Sequence, residues 1–295
     1  MVSFVNVKID DLLFLHDKGF RFVDIKSEFE SQRLSDGSVN LVLYKSGKLL
    51  IQGPKLLVDK ISSLLINKDF SPNKKTIPKQ EASLSSNEWN SKIHIGSDET
   101  LKGDSFGGLV VCAFFYSPSF KDELLNLGVR DSKKISDSQI KSIASSLSKR
   151  FEGFFSIKNI FPEEYNNLVE NLGSVTKVLN KLHLEVYNSL VSEKNLVSYA
   201  QDLKKIVFVV DKFPGCSVGD FKIISGESSS LAIAAASIIA RSEALKQMSL
   251  LSSNAGFRLP MGSTHVEKAL EILSSKGVDL RLFAKLHFRN VKKFL

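Results

Sequence analysis

Four acidic side chains occupy positions where carboxylates could act together: Asp98, Glu99, Asp211 and Glu227. Each comes shortly after a run of apolar residues, so each is expected near the end of a strand. Carboxylate oxygens, with water and phosphate oxygens, are the ligands that Mg²⁺ prefers. Two such ions about 4 Å apart can activate a water and stabilise the departing oxygen of a phosphodiester. The pattern would suit a metal-dependent phosphodiesterase, but taken alone it favours the alternative that these acids only keep the strand ends soluble.

Asp98 and Glu99 are neighbours in the sequence, and successive side chains of a strand point to opposite faces of a sheet. Both could bind one metal site only if the backbone turned or bulged there, which the nearby Gly96 and Gly103 would permit. We therefore expect an irregular backbone at this pair.

The elements that position these acids fall into two predicted domains. Residues 1–70 combine a helical start at 9–15, three strand-like runs at 20–25, 39–44 and 49–52, and a helix with Leu57, Ile61, Leu64 and Leu65 on one face. Residues 71–90 contain two prolines and few aliphatic side chains, which is typical of a linker. The prediction is a small α+β domain at 1–70, a linker at 71–90 and a larger domain at 91–295.

The larger domain alternates strands and helices. Predicted strands lie at 93–95, 109–116, 154–157, 206–210 and 221–224, and predicted helices at 174–192, 231–248, 264–276 and 279–289. The run at 206–210 is apolar throughout, as in a strand buried on both faces. Strands followed by helices therefore predict an α/β domain with a largely buried sheet.

Composition restricts the partners. The formal net charge is +8, and the last fifteen residues hold five cations and no acid. Such a cluster could bind a polyanion. A charge run alone, however, is more often a solvated basic tail. No apolar run reaches the about 18 residues that cross a bilayer, and acids come too early for a secretion signal, so we expect no membrane partner and a cytoplasmic location. Two cysteines without metal-ligand spacing predict free thiols.

Several strings carry a family resemblance. GSDETLKGDSFGG at 96–108 resembles the opening motif of type 2 ribonucleases H, and LGVRDSKKIS at 127–136 resembles the next block. The strings EEYNNL, VLNKLH, VVDKFPG, SGESSSLAIAAASIIAR, LPMGSTHVEKAL and AKLHFRN follow in the family's order, so the resemblance covers essentially all of 92–295. It implies a ribonuclease H-like mixed sheet and an endonuclease that cuts the RNA strand of an RNA/DNA hybrid, leaving 5′-phosphate and 3′-hydroxyl ends.

Within type 2 enzymes the sequence is most similar to ribonuclease HIII. That subfamily has an Asp-Glu-Asp-Glu quartet, and Glu227 in SGESSS stands where ribonuclease HII carries Asp. The resemblance implies that Asp98, Glu99, Asp211 and Glu227 are catalytic ligands of Mg²⁺ or Mn²⁺. It also implies that residues 1–70 form a TATA-binding-protein-like domain, which we expect to position the hybrid, with Phe20 and Phe22 packed in its core.

The resemblance further implies substrate contacts at Leu101, Lys102, Gly103, Ser132, Lys133 and Lys134. The family usually has glycine where this chain has Leu101, in a Gly-x-Gly turn close to the RNA strand. Leucine does not readily adopt a positive φ, so we expect an altered turn. Ser132 or Ser136 could instead cap a helix start, and His183 is expected to be a packed or hydrogen-bonded core residue.

Two other functions fit the pattern of residues. One is a catalytically inactive nucleic-acid-binding protein that uses the basic C-terminal surface; the other is a two-metal nuclease of different specificity, because only the resemblance selects the hybrid. We expect a monomer.

Overall fold

The structure, a computed structural model, describes residues 2–4, 7–66, 86–193, 196, 198–199 and 206–295. The chain divides into two compact units, residues 1–81 and 82–295, which we call units 1 and 2. The division falls inside the predicted linker, whose residues 71–85 lie outside the described ranges. Within those ranges no helix is long and apolar enough to cross a membrane.

Unit 1 is an antiparallel sheet with helices. Its strands are β1 (Val2–Phe4), β2 (Arg21–Val23), β3 (Glu30–Ser35), β4 (Asn40–Tyr44) and β5 (Leu49–Gln52), in the order β1-β5-β4-β3-β2. A 3₁₀ helix spans Asp10–Lys18 and α1 spans Lys55–Ile66. The sequence did not predict β1 and β3, because one is three residues long and the other is mostly polar.

The core of unit 1 lies between the sheet and its helices. Ile61 and Leu65 of α1 are buried there, which confirms the predicted helix. Phe20 is also buried, but Phe22 is 45% exposed, so the expectation that both pack in the core is wrong for Phe22. The reason is that β2 is an edge strand whose residues are all exposed.

Unit 2 is built on a five-stranded mixed sheet in the order β10-β9-β6-β7-β8. The strands are β6 (His94–Thr100), β7 (Leu109–Tyr116), β8 (Phe155–Ile160), β9 (Val207–Asp211) and β10 (Phe221–Ile223). The helices are α2 (Ser86–Trp89), α3 (Lys121–Asn126), α4 (Asp137–Arg150), α5 (Pro162–Leu172), α6 (Val175–Val191), α7 (Leu231–Ala255), α8 (Glu267–Ser275) and α9 (Arg289–Lys292). Strands β6, β7 and β8 pair antiparallel, whereas β9 runs parallel to both β6 and β10. The predicted α/β class and mixed sheet are confirmed.

Helices cover both faces of this sheet, and every residue of β7 is buried. Gly96 of β6 lies against α7, where an added Cβ would come within 2.6 Å of the Cβ of Ala232 and the backbone nitrogen of Ile233. The glycine therefore permits close packing of strand and helix. The expectation that Gly96 helps the backbone to bend is wrong, because β6 pairs with β7 in unbroken register from His94 to Thr100.

Two segments differ from the predictions. Residues 279–289 are not one helix: they form a 3₁₀ turn at Leu280–Leu282 and then an irregular stretch, in which Ala284 bridges Phe106. The end of the predicted linker forms α2, and Trp89 is buried against Val209 and Ile233. A single large aromatic side chain thus brings residues that look like linker into the core of unit 2.

Candidate active site

One cavity of about 490 Å³ in unit 2 is lined by all four predicted acids. Its other lining residues are Thr100, Leu101, Lys102, Gly103, Asp104, Ser132, Lys133, Ser237 and Arg241. The acids come from the end of β6, the end of β9 and the turn before α7. The structure therefore gathers residues that lie up to 129 positions apart in the chain, from Asp98 to Glu227, around one space.

Asp98 and Glu99 reach this cavity from opposite faces of β6. Asp98 lies on the α7 side, within reach of Ser237, and Glu99 lies on the α6 side, where His183 contacts it. The expected bulge is absent, because β6 stays in register with β7 from His94 to Thr100. Strand pairing with β9, however, ends at Ser97 and Val210. Past that point β6 has no neighbour on one side, so both faces open into the same space.

Two cationic or donor side chains hold Glu99. Lys102 donates to its Oε1, and Nε2 of His183 lies 3.2 Å from its Oε2. Nδ1 of His183 lies 2.8 Å from the hydroxyl of Ser97, and its ring stacks on Phe213 with centroids 5.2 Å apart. His183 is fully buried, as expected, but its partner is a site carboxylate, which the sequence did not reveal.

Backbone N–H groups orient the other two acids. Gly226 donates from its backbone N–H to Oδ1 of Asp211 at 2.8 Å, and Ser132 donates from its backbone N–H to Oε2 of Glu227 at 2.6 Å. The ammonium of Lys133 lies 3.3 Å from Oε1 of Glu227. Glu227 sits in the 3₁₀ turn Gly226–Ser228, which follows Ser225 in the left-handed region at φ 56°.

The site concentrates negative charge in a buried place. Burial raises the pKa of Asp98 well above its usual range, and the neighbouring carboxylates raise it further. Burial also raises the pKa of Asp211. For Glu99 burial acts in the same direction, but His183 and Lys102 outweigh it, so its pKa is lowered. A cation placed among these groups would therefore gain free energy by relieving their mutual repulsion.

The donor set fits a hard divalent cation, because it consists of carboxylate oxygens without cysteine. Among the described residues no group of three or more histidine, cysteine or acidic side chains is arranged to hold a metal ion as it stands. Instead Lys102 and Lys133 supply the countercharge for Glu99 and Glu227. The side chain of Lys102 is partly exposed and that of Lys133 largely exposed, so neither is locked in place by burial.

Five of the six predicted substrate-contact residues line the cavity. Three of them are Leu101, Lys102 and Gly103. Leu101 adopts φ 65° in spite of its side chain, so the expectation that leucine avoids a positive φ at this position is wrong. Its side chain is 2% exposed and reaches the space next to Gly107, so burial offsets the strain of the left-handed conformation.

Ser132 and Lys133 also line the cavity, and the side chain of Lys134 lies outside what the structure describes. The hydroxyl of Ser132 lies 3.0 Å from that of Ser237. Ser136, and not Ser132, caps α4 through a capping box with Gln139. Ser132 is thus available to shape the cavity.

Sequence reasoning missed Arg241. Its guanidinium donates to the carbonyl oxygen of Ser132 and pairs with Asp137 at 2.7 Å, so it ties the 131–136 segment to α7. It closes the string SGESSSLAIAAASIIAR, one turn of helix after Ser237. Its spacing of four from Ser237, which puts both on one face of a helix, was the signal that could have found it.

Comparison with known proteins agrees with this geometry. A family model described as ribonuclease HII matches residues 95–291. A ribonuclease HIII of Bacillus pumilus (strain SAFR-032) is 34% identical over 278 residues, covering 86% of this chain and 85% of the relative. A ribonuclease HIII of Enterococcus faecalis (strain ATCC 700802 / V583) is 30% identical over 276 residues, covering 87% and 86%.

Among solved structures, that of Bst-RNase HIII in complex with Mn²⁺ has a TM-score of 0.61 and 27% identity, and covers 99% of this chain and 97% of its own. The family model spans the whole mixed sheet, and the relatives match over most of their own length. On this evidence the chain belongs to the ribonuclease HII family, and the relatives that it matches over most of their length are ribonucleases HIII.

Proposed function

We propose that this ribonuclease H hydrolyses the RNA strand of RNA/DNA hybrids with Asp98, Glu99, Asp211 and Glu227 as the ligands of its divalent ions. Ribonuclease H activity and dependence on a divalent metal follow from the family. The observation that carries the residue assignment is that one cavity is lined by all four acids. We propose Mg²⁺ or Mn²⁺ as the ion, since the ligands are oxygen atoms.

Two bound ions would supply Lewis acidity to the attacking water and to the departing 3′-oxygen. The residues around the cavity orient the four carboxylates and neutralise part of the negative charge. Ser132 and Gly226 fix the carboxylates of Glu227 and Asp211 through backbone N–H groups, and His183 fixes Glu99. Lys133, which is 76% exposed, is placed to release Glu227 and contact a phosphate of the bound strand. The products are a 5′-phosphate and a 3′-hydroxyl.

One assay separates this function from its alternatives. Purified protein is incubated with labelled RNA/DNA hybrid, duplex DNA, duplex RNA and a duplex with a single ribonucleotide, each with Mg²⁺, Mn²⁺ or chelator. We expect cleavage of the hybrid, little cleavage at the single ribonucleotide, and none with chelator. Cleavage of duplex DNA would indicate a nuclease of another specificity, and binding without cleavage would indicate an inactive binding protein.

The residue assignment is tested by Asp98→Asn, with Asp122→Asn as the matched control, because Asp122 is an exposed aspartate on α3. We expect Asp98→Asn to abolish cleavage and to keep hybrid binding, while Asp122→Asn cleaves like the wild type. Normal turnover by Asp98→Asn would contradict the assignment.

We also propose that unit 1 is a TATA-binding-protein-like domain that positions the hybrid. The support is that Phe22 and Phe29 are 45% and 67% exposed, since exposed aromatic rings can stack on nucleic acid. Replacing both with alanine in the full chain should raise the KM for hybrid and leave kcat unchanged; an unchanged KM would argue against the role. We further propose a monomeric enzyme of the cytoplasm.

A further inference from the structure

The string AKLHFRN contains a lysine that the proposed mechanism does not use. Lys285 is fully buried in unit 2. Its ammonium donates to the carbonyl oxygen of Asp104 at 2.6 Å and to that of Gly107 at 2.8 Å. Tyr165 and Phe288 flank it, with ring centroids 5.4 and 5.8 Å from the nitrogen. A side chain 181 positions away in sequence thus binds the loop between β6 and β7 at two points.

Burying this lysine is costly. Burial lowers the pKa of Lys285 to about 7 from 10.5, which shows how strongly its surroundings disfavour the charge. An apolar side chain of similar length would avoid that cost and fill the same space. What a lysine adds is its N–H donors, and both of the carbonyl groups that accept from them belong to the β6–β7 loop, residues 101–108.

The backbone of residues 283–290 adds to this attachment. Gly107 donates from its N–H to the carbonyl oxygen of Phe283 at 3.0 Å, and Lys285 donates from its backbone N–H to the carbonyl oxygen of Ser105 at 2.9 Å. Asn290 donates from its side-chain amide to the hydroxyl of Ser105 at 2.9 Å. The peptide groups from 104 to 107 are therefore held by residues that do not themselves line the cavity.

The segment that carries Lys285 is itself anchored. Asn166 of α5 donates to the carbonyl oxygen of Ala284 at 2.9 Å and accepts from the backbone N–H of Leu286 at 3.0 Å. Asn166 is buried, so these bonds are shielded from water. The loop is thus connected through Lys285 to a helix of the core and not only to the two strands that it joins.

The front of the same loop lines the active-site cavity with Leu101, Lys102, Gly103 and Asp104. We propose that Lys285 is a positioning residue for substrate: by fixing the carbonyl groups of Asp104 and Gly107, it presents residues 101–104 to the hybrid in one conformation. The proposal rests on the function proposed above. A fixed loop loses less conformational entropy on binding, so its effect falls on substrate affinity.

The test compares Lys285→Met with Arg281→Met as the matched control. Arg281 is a cation of the same C-terminal segment, and its guanidinium pairs with Glu170 and Asn167 on α5. We measure KM and kcat for hybrid with Mg²⁺, hybrid affinity by fluorescence anisotropy in chelator, Mn²⁺ affinity by calorimetry, and thermal unfolding. We expect Lys285→Met to raise KM and the hybrid Kd about 10-fold, with kcat and Mn²⁺ affinity within about 2-fold of wild type.

A folded Lys285→Met that binds hybrid like the wild type would overturn the proposal, as would a loss confined to kcat. If that variant does not fold, amide hydrogen exchange of the wild-type protein tests the proposal instead. The N–H groups of Gly107 and Lys285, which join the loop to residues 283–285, should be protected before hybrid is added; protection that appears only with hybrid would overturn the proposal. Failure of the proposed function is distinguishable, because the wild type would then bind hybrid without cleaving it.

Discussion

Nε2 of His183 on helix α6 lies 3.2 Å from Oε2 of Glu99 on strand β6, although the two residues are 84 positions apart in the sequence. The hydroxyl of Ser97 occupies the other ring nitrogen of His183. Since Ser97 is two residues before Glu99 on the same face of the strand, the ring spans both. The buried ring of His183 therefore fixes the orientation of the Glu99 carboxylate, which lines the cavity.

We expect His183→Phe to lower Mn²⁺ affinity and kcat/KM by about 10- to 100-fold, because an aromatic ring keeps the stacking on Phe213 but loses the bond that orients Glu99. Calorimetry with Mn²⁺ and steady-state cleavage check it. Tyr187→Phe is the control: it removes the hydrogen bond from another ring of α6 to the carbonyl oxygen of Ile206 and leaves the site intact. Equal losses in both variants would contradict an orienting role.

We expect Asp98→Asn to be more stable than the wild type in chelator, by about 0.5–2 kcal/mol at pH 7. Burial and nearby carboxylates raise the pKa of Asp98 above its ordinary 3.8. A carboxyl with a raised folded pKa costs stability as pH rises above the unfolded value, and the neutral amide removes that cost. Urea unfolding measures it. Added Mn²⁺ should stabilise the wild type but not Asp98→Asn; a variant less stable in chelator would argue against charge repulsion.

At Leu101 we expect the glycine variant to be more stable than the alanine variant, which is the reverse of the usual order in a helix. Its φ of 65° strains any side chain by about 1 kcal/mol, and only glycine escapes that strain. Both Leu101→Gly and Leu101→Ala lose the burial of a leucine, so both should destabilise the protein by about 2–4 kcal/mol, with the glycine variant about 1 kcal/mol the more stable. At Leu147, buried within α4, the alanine variant should be the more stable. If the alanine variant were the more stable one at both positions, backbone strain at Leu101 would be contradicted.

Acid should destabilise unit 2 through His94. Its Nδ1 lies 2.9 Å from the carbonyl oxygen of Lys92, so it donates, and Nε2 lies 2.7 Å from the hydroxyl of Ser230. Burial lowers the pKa of His94 to about 4 from 6.5, a shift that corresponds to about 3 kcal/mol. The unfolded chain takes up a proton below pH 6.5 that the folded one refuses until about pH 4, so stability falls over that interval.

Urea unfolding between pH 7 and pH 4 checks this expectation. His94→Phe should lose less stability over the interval than the wild type does, even if it starts lower because two hydrogen bonds are gone. His16→Phe in unit 1 should follow the wild-type profile. Parallel pH profiles for the wild type and His94→Phe would show that another group is responsible.

The sequence predicted the strands best where apolar runs are continuous. The run at 206–210 became β9, and the run at 109–116 became β7 with its bounds unchanged. It failed where contacts with distant residues override local pattern: the polar β3 is a strand because its neighbours β2 and β4 pair with it, and 279–289 is not a helix because Ala284 bridges Phe106.

By itself the sequence determined which four acids follow apolar runs and the α/β class of the larger domain, because residue type and hydrophobic periodicity are local properties. Only the tertiary structure decided how Asp98 and Glu99 share a cavity from opposite faces of one strand, and which residues support them. His183, Arg241 and Lys285 act through partners 84 to 181 positions away. Such pairings are set by the packing of helices on the sheet; local spacing could single out Arg241, but no local pattern identifies its distant partner.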